Sequence, residues 1–439
     1  MPLQFAGFDK RPFARGTLGL ALLLGFAFAL RLAVAVWWQA GLPLDQPFRF
    51  SDSESYWVLG QAIARGEPYE YESPHARIFR TPGYPLLLAG LFSCCGENVS
   101  VVVARALGAF MGTLVVGEIF WLTSLLFNRT AAVVAALLAA CYPGVVGASI
   151  LVLSESLFCP LLLLQLIVFT YAWCAKSAGR QAVFGVGFGV IAGLAVLVRP
   201  SWLLFTPAVV LLTVVSPTAR SRSLTIGLGA IIGLCTAMMP WWIRNYQVVN
   251  RFVPTTLQVG ASLYDGWNPK ATGASDMDFV ASFEQKVRAE SKGTKAFESD
   301  NLECQLNRRF RQEACRWAVQ HPRRVLVLAG IKWWRMWHPV PNADEFQSFW
   351  MKVAMAVTYV PLMILVVIGI LRWGARSWPL AMCWLPAAYV TLLHMVFVGS
   401  IRYRQPALLP LMVLAAGVIT MLIPACQKQF VLRRAEAPP

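Results

Sequence analysis

Ten stretches of this chain are apolar over most of a bilayer's thickness, and that repetition limits the fold more than any other feature of the sequence. They run at about 17–38, 99–127, 131–150, 156–175, 183–198, 202–216, 223–243, 352–371, 377–398 and 405–425. Because the hydrocarbon core is about 30 Å thick, a helix needs about 20 apolar residues to cross it. The pattern predicts an all-α polytopic membrane protein of about ten transmembrane helices. The runs at 183–198 and 202–216 are short, so those segments are expected to be tilted or partly re-entrant. With 57% hydrophobic residues, only 14% charged ones and a mean hydropathy of +0.57, a water-soluble globule is excluded.

The net charge of +16 would suggest a nucleic-acid partner in a soluble protein. Here most of the excess falls in short loops between apolar runs, so orientation accounts for it better. A cytoplasmic N-terminus puts Arg129, Lys176, Arg180, Arg220, Arg222, Arg372, Arg376, Lys428, Arg433 and Arg434 on the inside. The same threading sends Asp52, Glu54, Glu67, Glu70, Glu72, Glu155, Arg199, Arg244 and Arg402 to the outer face. Lys10, Arg11 and Arg15 precede a first run too long for a signal-peptide core and without a small-residue cleavage site, so an uncleaved first span is expected.

The chain then divides into a transmembrane module at 1–243 with an outer loop at 39–98, an outer-face region at 244–351, a second set of spans at 352–426, and a cytoplasmic tail at 427–439. Within the outer region, Asn245 to His321 is expected to form a few helices over the membrane entrance. The segment from Arg323 to Trp337 is apolar but carries Lys332 and Arg335 between tryptophans, which suits an amphipathic helix at the outer interface. The ten cysteines show no metal-ligand spacing; of these, Cys304 and Cys315 share the long outer region and could pair in an oxidising compartment.

The chemistry concentrates between Phe50 and Pro85, where Asp52 and Glu54 lie in a polar loop just after the first span. A carboxylate beside a bilayer can accept a proton from a hydroxyl or hold a divalent cation. Glu155 follows Ser154 where another span begins, which fits a helix terminus as well as a second acidic site residue. Arg199, Arg244 and Arg402 each end or begin a span on the same face. Each suits snorkelling to lipid headgroups; together with Arg80 they suit an anion site. His75 lies within the acidic loop, and His394 suits an ordinary structural role. Arg31, Arg105 and Glu118 fall inside apolar runs and should face the bundle interior, where structural pairing would offset their cost.

Four stretches carry a resemblance. They are the first outer loop, with Asp52, Tyr56, Gly66, Tyr69 and RTPGYP; the stretch around Glu155; PWWIRNYQVVNRFVPTTLQVGASLYDGWNP; and HMVFVGSIRYRQPALLPLMVLAA. In this order they resemble the GT-C membrane glycosyltransferases, in the branch of protein mannosyltransferases, the lipid A aminoarabinose transferase and related bacterial sugar transferases. The resemblance implies a helical bundle with interfacial helices on its outer face, in the bacterial cytoplasmic membrane, acting on the periplasmic side. It implies transfer of a sugar from a polyprenyl-phosphate donor to the hydroxyl of a glycan, lipid or protein acceptor. Asp52 would be the base, with Glu54 or Glu155 assisting. Arg80, Arg199, Arg244 and Arg402 would hold the donor phosphate, and Tyr56, Tyr84, His75 and Tyr403 would line the substrate. A divalent ion (magnesium, manganese or zinc) on Asp52 and Glu155 is part of the same expectation. Two departures stand out: the acids are spaced Asp-Ser-Glu where the mannosyltransferase branch has two adjacent acids, and Arg80 stands where some members carry lysine. The alternative is a transporter or flippase for a lipid-linked anion, which would also place arginines beside a lipid-facing groove.

Overall fold

In a computed structural model of the chain, residues 17–43, 45–71, 76–96, 98–217, 220–291, 302–340 and 348–423 are described. The basic residues expected at the two termini, Lys10, Arg11, Arg15, Lys428, Arg433 and Arg434, lie outside these residues, as does the 427–439 tail. The described residues form helices, with one isolated bridge between Tyr71 and Ala76. Seven helices are long and apolar enough to cross a membrane: α1 (Thr17–Ala40), α4 (Val101–Leu126), α7 (Glu155–Cys174), α8 (Ala178–Val198), α10 (Arg220–Val249), α15 (Phe349–Trp373) and α18 (Ile401–Met421). An eighth span arises if α5 (Arg129–Cys141) and α6 (Pro143–Ile150), bent by 60° at Tyr142, count as one. The proline at the start of α6 cannot continue the α5 ladder, so the run at 131–150 breaks there. Of the two short runs, 183–198 extends into the full-length α8, while 202–216 gives the shorter α9 (Phe205–Val215); the run at 377–398 divides into α16 (Trp378–Ala381) and α17 (Leu385–Val396). A further apolar helix, α3 (Gly83–Cys95), was not among the ten runs.

Helix α18 is the axis of the bundle: along almost its whole length from Ile401 to Val418 its side chains are buried. It carries Pro406 and Pro410, which are tolerated because neighbouring helices surround it on every side.

Close packing is clearest between α8 and α10. Gly185, Gly189 and Gly193 recur every four residues and put a stripe without side chains against Gly229, Ala230 and Gly233. Lipid tails offer helices no hydrophobic reason to associate, so such small-residue seams, which let backbones approach, supply the dispersion contacts that hold them. A Cβ on Gly189 would fall 2.0 Å from the Ala230 carbonyl oxygen, whereas one on Gly187, two residues along, would make ordinary contact at 3.5 Å.

Buried cations do a second job in this bundle. The expectation that Arg31, Arg105 and Glu118 form pairs is corrected: the two arginines bind backbone carbonyls, and Glu118 stands apart on α4 with Oε2 buried and without a hydrogen-bond partner. Arg31 donates to the oxygens of Ala139 and Ala140 at 2.9 and 3.2 Å, the last carbonyls of α5. Arg105 donates to Ile150 at the end of α6 (3.1 Å), and also to Gln39 and Pro47. The last carbonyls of any helix have no partner within it, and inside a membrane no water replaces one. A guanidinium reaching in from another span therefore both satisfies those carbonyls and complements the negative end of the helix dipole.

On the site-bearing face lie α2 (Ser51–Arg65), α11 (Val259–Gly266), α12 (Phe279–Ser291), α13 (Leu302–Gln320) and α14 (Pro322–Trp337). Cys304 and Cys315 both belong to α13. Eleven residues of helix separate them by about 16 Å, well beyond disulfide reach, so they cannot pair. Helix α14 has the expected amphipathic character, with Trp333 and Trp334 exposed, but Lys332 is turned inward and fully buried. Its Nζ donates to Gly266 at the end of α11 (2.9 Å) and to Val396 at the end of α17 (2.7 Å), the same capping device again.

The seam between α8 and α10 yields a direct test. Gly189→Ala should lower the thermal unfolding midpoint of the purified protein by an amount equivalent to about 1–3 kcal/mol, the usual range for overpacking. Gly187→Ala should leave that midpoint within experimental error of the parent's.

Candidate active site

Three helix N-termini and one C-terminus meet at one end of the bundle. Asp52 is the second residue of α2, Glu155 the first of α7 and Arg402 the second of α18; Arg199 caps the end of α8, where Pro200 stops the helix. The polar loop expected around Asp52 is thus largely helical, and its acids sit in a first turn, where the dipole favours negative charge.

Arg402 joins the acids. Its Nη1 donates to Asp52 Oδ2 at 2.8 Å, its Nη2 to Glu155 Oε2 at 3.1 Å, and its Nε to Glu155 Oε1. On the far side of Asp52, Arg80 Nη2 lies 2.5 Å from Oδ1. Arg80 is held in turn by Ser55 Oγ at 3.2 Å and Gln258 Oε1 at 3.1 Å, with its guanidinium over the rings of Tyr56 and Phe79. On the far side of Glu155, Arg199 Nη1 lies 2.7 Å from Oε1, a third buried ion pair. The result is a continuous row, Arg80–Asp52–Arg402–Glu155–Arg199, of three guanidiniums and two carboxylates, with one positive charge in excess.

Burial alone would raise the Asp52 pKa, but the charges of Arg80 and Arg402 outweigh it and hold the group well below the usual carboxylate range. In this arrangement Asp52 is a weak proton acceptor. It gains basicity only if a guanidinium leaves it.

The sequence candidates separate under this geometry. Asp52, Glu155, Arg80, Arg199 and Arg402 come together. Glu54, two residues beyond Asp52 and so roughly 200° around the helix, is exposed and does not join them. Arg244 serves another purpose: it donates to the carbonyl oxygens of Arg77 (2.7 Å) and Tyr69 (3.3 Å) and lies over the Trp241 ring, so it fastens the segment that carries Arg80. Tyr56 and Tyr84 meet edge to face at 5.1 Å beneath Arg80, both buried. Tyr403 stacks on His394 at 4.1 Å, within cation–π range of Arg199 and Arg402. His75 lies outside the described residues.

Four contributors were not among the expected site residues, although Tyr69 belongs to the loop that carries the resemblance. Gln258 and Ser55 fix Arg80. Tyr69 Oη donates to the Arg80 carbonyl oxygen at 3.2 Å. Glu303 of α13 accepts from the backbone N–H groups of Arg77 (3.0 Å) and Ile78 (3.1 Å). Gln258 was legible in principle, since it sits in the TTLQVG stretch. Glu303 carried no signal, because nothing local tells an acid that grips a distant loop from a solvated one.

The expected divalent ion would be held by Asp52 and Glu155, two carboxylates that could share it with water and a substrate phosphate. Asp52 and Glu155 are engaged by arginines, with Arg402 between them, and among the described residues no group of three His, Cys, Asp or Glu side chains converges.

This bundle, with polar helices on one face and its site at the helix ends, shares its fold with solved oligosaccharyltransferase structures. A family model described as dolichyl-phosphate-mannose-protein mannosyltransferase matches residues 79–243, which include Arg80, Glu155 and Arg199. No curated protein matches the chain by sequence. Among solved structures the chain is similar to the oligosaccharyltransferase AglB of Archaeoglobus fulgidus in complex with an inhibitory peptide and a dolichol-phosphate. The identity is 14% and the TM-score 0.56, covering 94% of this chain and 52% of that one. The Archaeoglobus fulgidus oligosaccharyltransferase in complex with zinc and sulfate gives 16% identity and a TM-score of 0.53, over 93% and 51%. ArnT from Cupriavidus metallidurans bound to undecaprenyl phosphate gives 14% and 0.42, over 87% and 77%. The chain spans about half the length of the oligosaccharyltransferase chains it matches. At such identities the likeness concerns the fold.

Two measurements check the charge row. Glu155→Gln removes the partner of two arginines at a position only 1% exposed, so unfolding should become easier by about 3–5 kcal/mol, the usual cost of breaking a buried pair. For Asp52 the sign follows from its depressed native pKa: its stabilisation is complete above the unfolded-state value of about 3.9 and is lost as the pH falls through the native one. Thermal midpoints should therefore change little between pH 7 and pH 5 on account of Asp52, and the further loss below about pH 4 should be smaller in Asp52→Asn.

Proposed function

We propose that this protein transfers a sugar from a polyprenyl-phosphate donor to an acceptor hydroxyl, at the outer face of a bacterial cytoplasmic membrane. The observation that carries the reading is the row of three arginines around two acids, with its positive excess. Such a site suits a phosphate whose charge grows as a bond breaks.

In the reaction, Asp52 removes the proton from the acceptor hydroxyl while that oxygen forms a bond to the sugar's anomeric carbon. The anomeric carbon–oxygen bond to phosphate breaks, and its electron pair stays on the phosphate. The donor phosphodiester carries one negative charge; the departing monoester carries more, so Arg80, Arg199 and Arg402 stabilise the transition state better than the ground state. A phosphate leaving group needs little protonation, so one base suffices. Glu155 contributes by orienting Arg402 and Arg199. A phosphate that draws Arg402 or Arg80 toward itself also restores basicity to Asp52, which couples donor binding to activation of the base.

The outward placement rests on the distribution of basic residues: Arg129, Lys176, Arg180, Arg220, Arg222, Arg372 and Arg376 fall at the opposite ends of the spans from Asp52. The transport alternative gains nothing here, since the reactive row gathers at helix ends on one face.

The test is transfer from a radiolabelled polyprenyl-phosphate sugar by folded, purified variants. Asp52→Asn should lose about 10²–10⁴-fold in kcat and Arg402→Ala about 10²–10³-fold, while Glu54→Gln retains most of the activity. Parent-like transfer by Asp52→Asn would remove the base assignment.

A further inference from the structure

Helix α7 is apolar from Leu161 to Phe169 except at Gln165, whose side chain is fully buried. An amide without partners is expensive in such a place, and both ends of this one are used. Its Nε2 donates to Thr206 Oγ1 at 2.9 Å, and its Oε1 accepts from Trp202 Nε1 at 2.8 Å. Thr206, in the first turn of α9, and Trp202 are buried as completely.

The network ends on the turn that carries Arg199. Trp202 closes the short helical turn Pro200–Trp202 after α8, and its backbone N–H donates to the Arg199 carbonyl oxygen at 3.0 Å. Tyr389 of α17 holds the same turn, its hydroxyl donating to the Ser201 carbonyl oxygen at 2.5 Å. The Trp202 ring stacks on Phe205 at 4.0 Å and meets Phe158 edge to face at 5.2 Å. Phe158 in turn lies under the Arg199 guanidinium at 5.6 Å. Gln165 therefore reaches Arg199 by two routes, one along the main chain of the turn and one through the Trp202 and Phe158 rings. Because Glu155, Phe158 and Gln165 all belong to α7, one helix supplies the charge partner of Arg199, the ring beneath it and the amide that fixes its turn.

Arg199 needs an anchor of this kind. Neutral side chains, Ser55 and Gln258, steady Arg80, whereas the Arg199 guanidinium rests on Glu155 and on the rings of Phe158 and Tyr403. An anion that competes with Glu155 loosens that ionic anchor, and the aim of the side chain then depends on the turn from which it springs. A neutral network is indifferent to the added charge.

We propose that Gln165, about 15 Å along α7 from Glu155, is a positioning residue that sets Arg199 against the donor phosphate through Trp202. Its part in phosphate binding rests on the transfer reaction above; its hold on Arg199 does not.

The experiment is thermal unfolding of the purified full chain in a double-mutant cycle of Gln165→Leu and Arg199→Gln, with and without decaprenyl phosphate. Gln165→Leu should lower the midpoint of the parent. In the Arg199→Gln background it should lower it half as much or less, because the ion pair it disturbs is already gone there. Gln165→Leu should also weaken decaprenyl phosphate binding about tenfold, and should add nothing to the weakening caused by Arg199→Gln. If Gln165→Leu fails to fold, Trp202→Phe, which keeps an aromatic ring and removes the N–H, makes the same cycle. No loss in the parent, or equal losses in both backgrounds, overturns the proposal whether or not the lipid binds. In transfer assays kcat of Gln165→Leu should fall about tenfold with the acceptor KM within twofold of the parent's; a raised acceptor KM at unchanged kcat would also overturn it. A cycle that couples as described, in a protein that neither binds decaprenyl phosphate nor transfers sugar, sinks the transferase reading and leaves the hold of Gln165 on Arg199 standing.

Discussion

The bridge made by Arg402 between Asp52 and Glu155 is the contact on which the site depends. Three segments far apart in the chain meet through one guanidinium: the start of α2, the start of α7 and the start of the buried axial helix. The dipoles favour the two acids in their first turns and Arg199 at a helix end, whereas Arg402 stands in a first turn against its own helix dipole and is held there by the two carboxylates. Removing any one member would strand charge in a poorly hydrated place, which is why the arrangement is both rigid and responsive to an arriving anion.

The same physical need shapes the rest of the bundle. Breaks in membrane helices expose carbonyls that water cannot reach, and this chain answers with cations sent from other spans: Arg31 to α5, Arg105 to α6, and Lys332 to α11 and α17. Arg404 adds a further case, donating to the Met336 carbonyl oxygen at 3.0 Å and to that of His338 at the end of α14. Part of the net positive charge therefore works inside the protein as helix caps, and only part of it marks orientation. Breaks sealed in this way let short helices such as α6, α11 and α17 end near the site and shape its surroundings.

The helical class, the membrane setting and most spans were legible because a bilayer demands long apolar runs, and nothing else produces them in this number. The convergence of Asp52, Glu155, Arg80, Arg199 and Arg402 was legible from order and residue type, since each stands where a span meets the polar face. What was not legible depended on direction within a turn. Asp52 and Glu54 are equivalent in composition, and only the helical phase separates the half-buried, paired one from the exposed one. Arg244 looked like its fellow arginines until its carbonyl partners appeared. The seven or eight long spans among the described residues, as against ten runs, reflect where prolines and short segments divide the apolar stretches, which hydropathy alone does not record.

The central claim is that one phosphate and two carboxylates compete for the same guanidiniums. The measurement that addresses it most directly is an experimental structure of the full chain with a polyprenyl phosphate bound. The account requires the phosphate to lie within hydrogen-bonding distance of Arg402 and at least one of Arg80 and Arg199, with the Asp52 carboxylate released from one of its two arginines. A phosphate bound elsewhere, with Arg80 and Arg402 still both on Asp52, would contradict it.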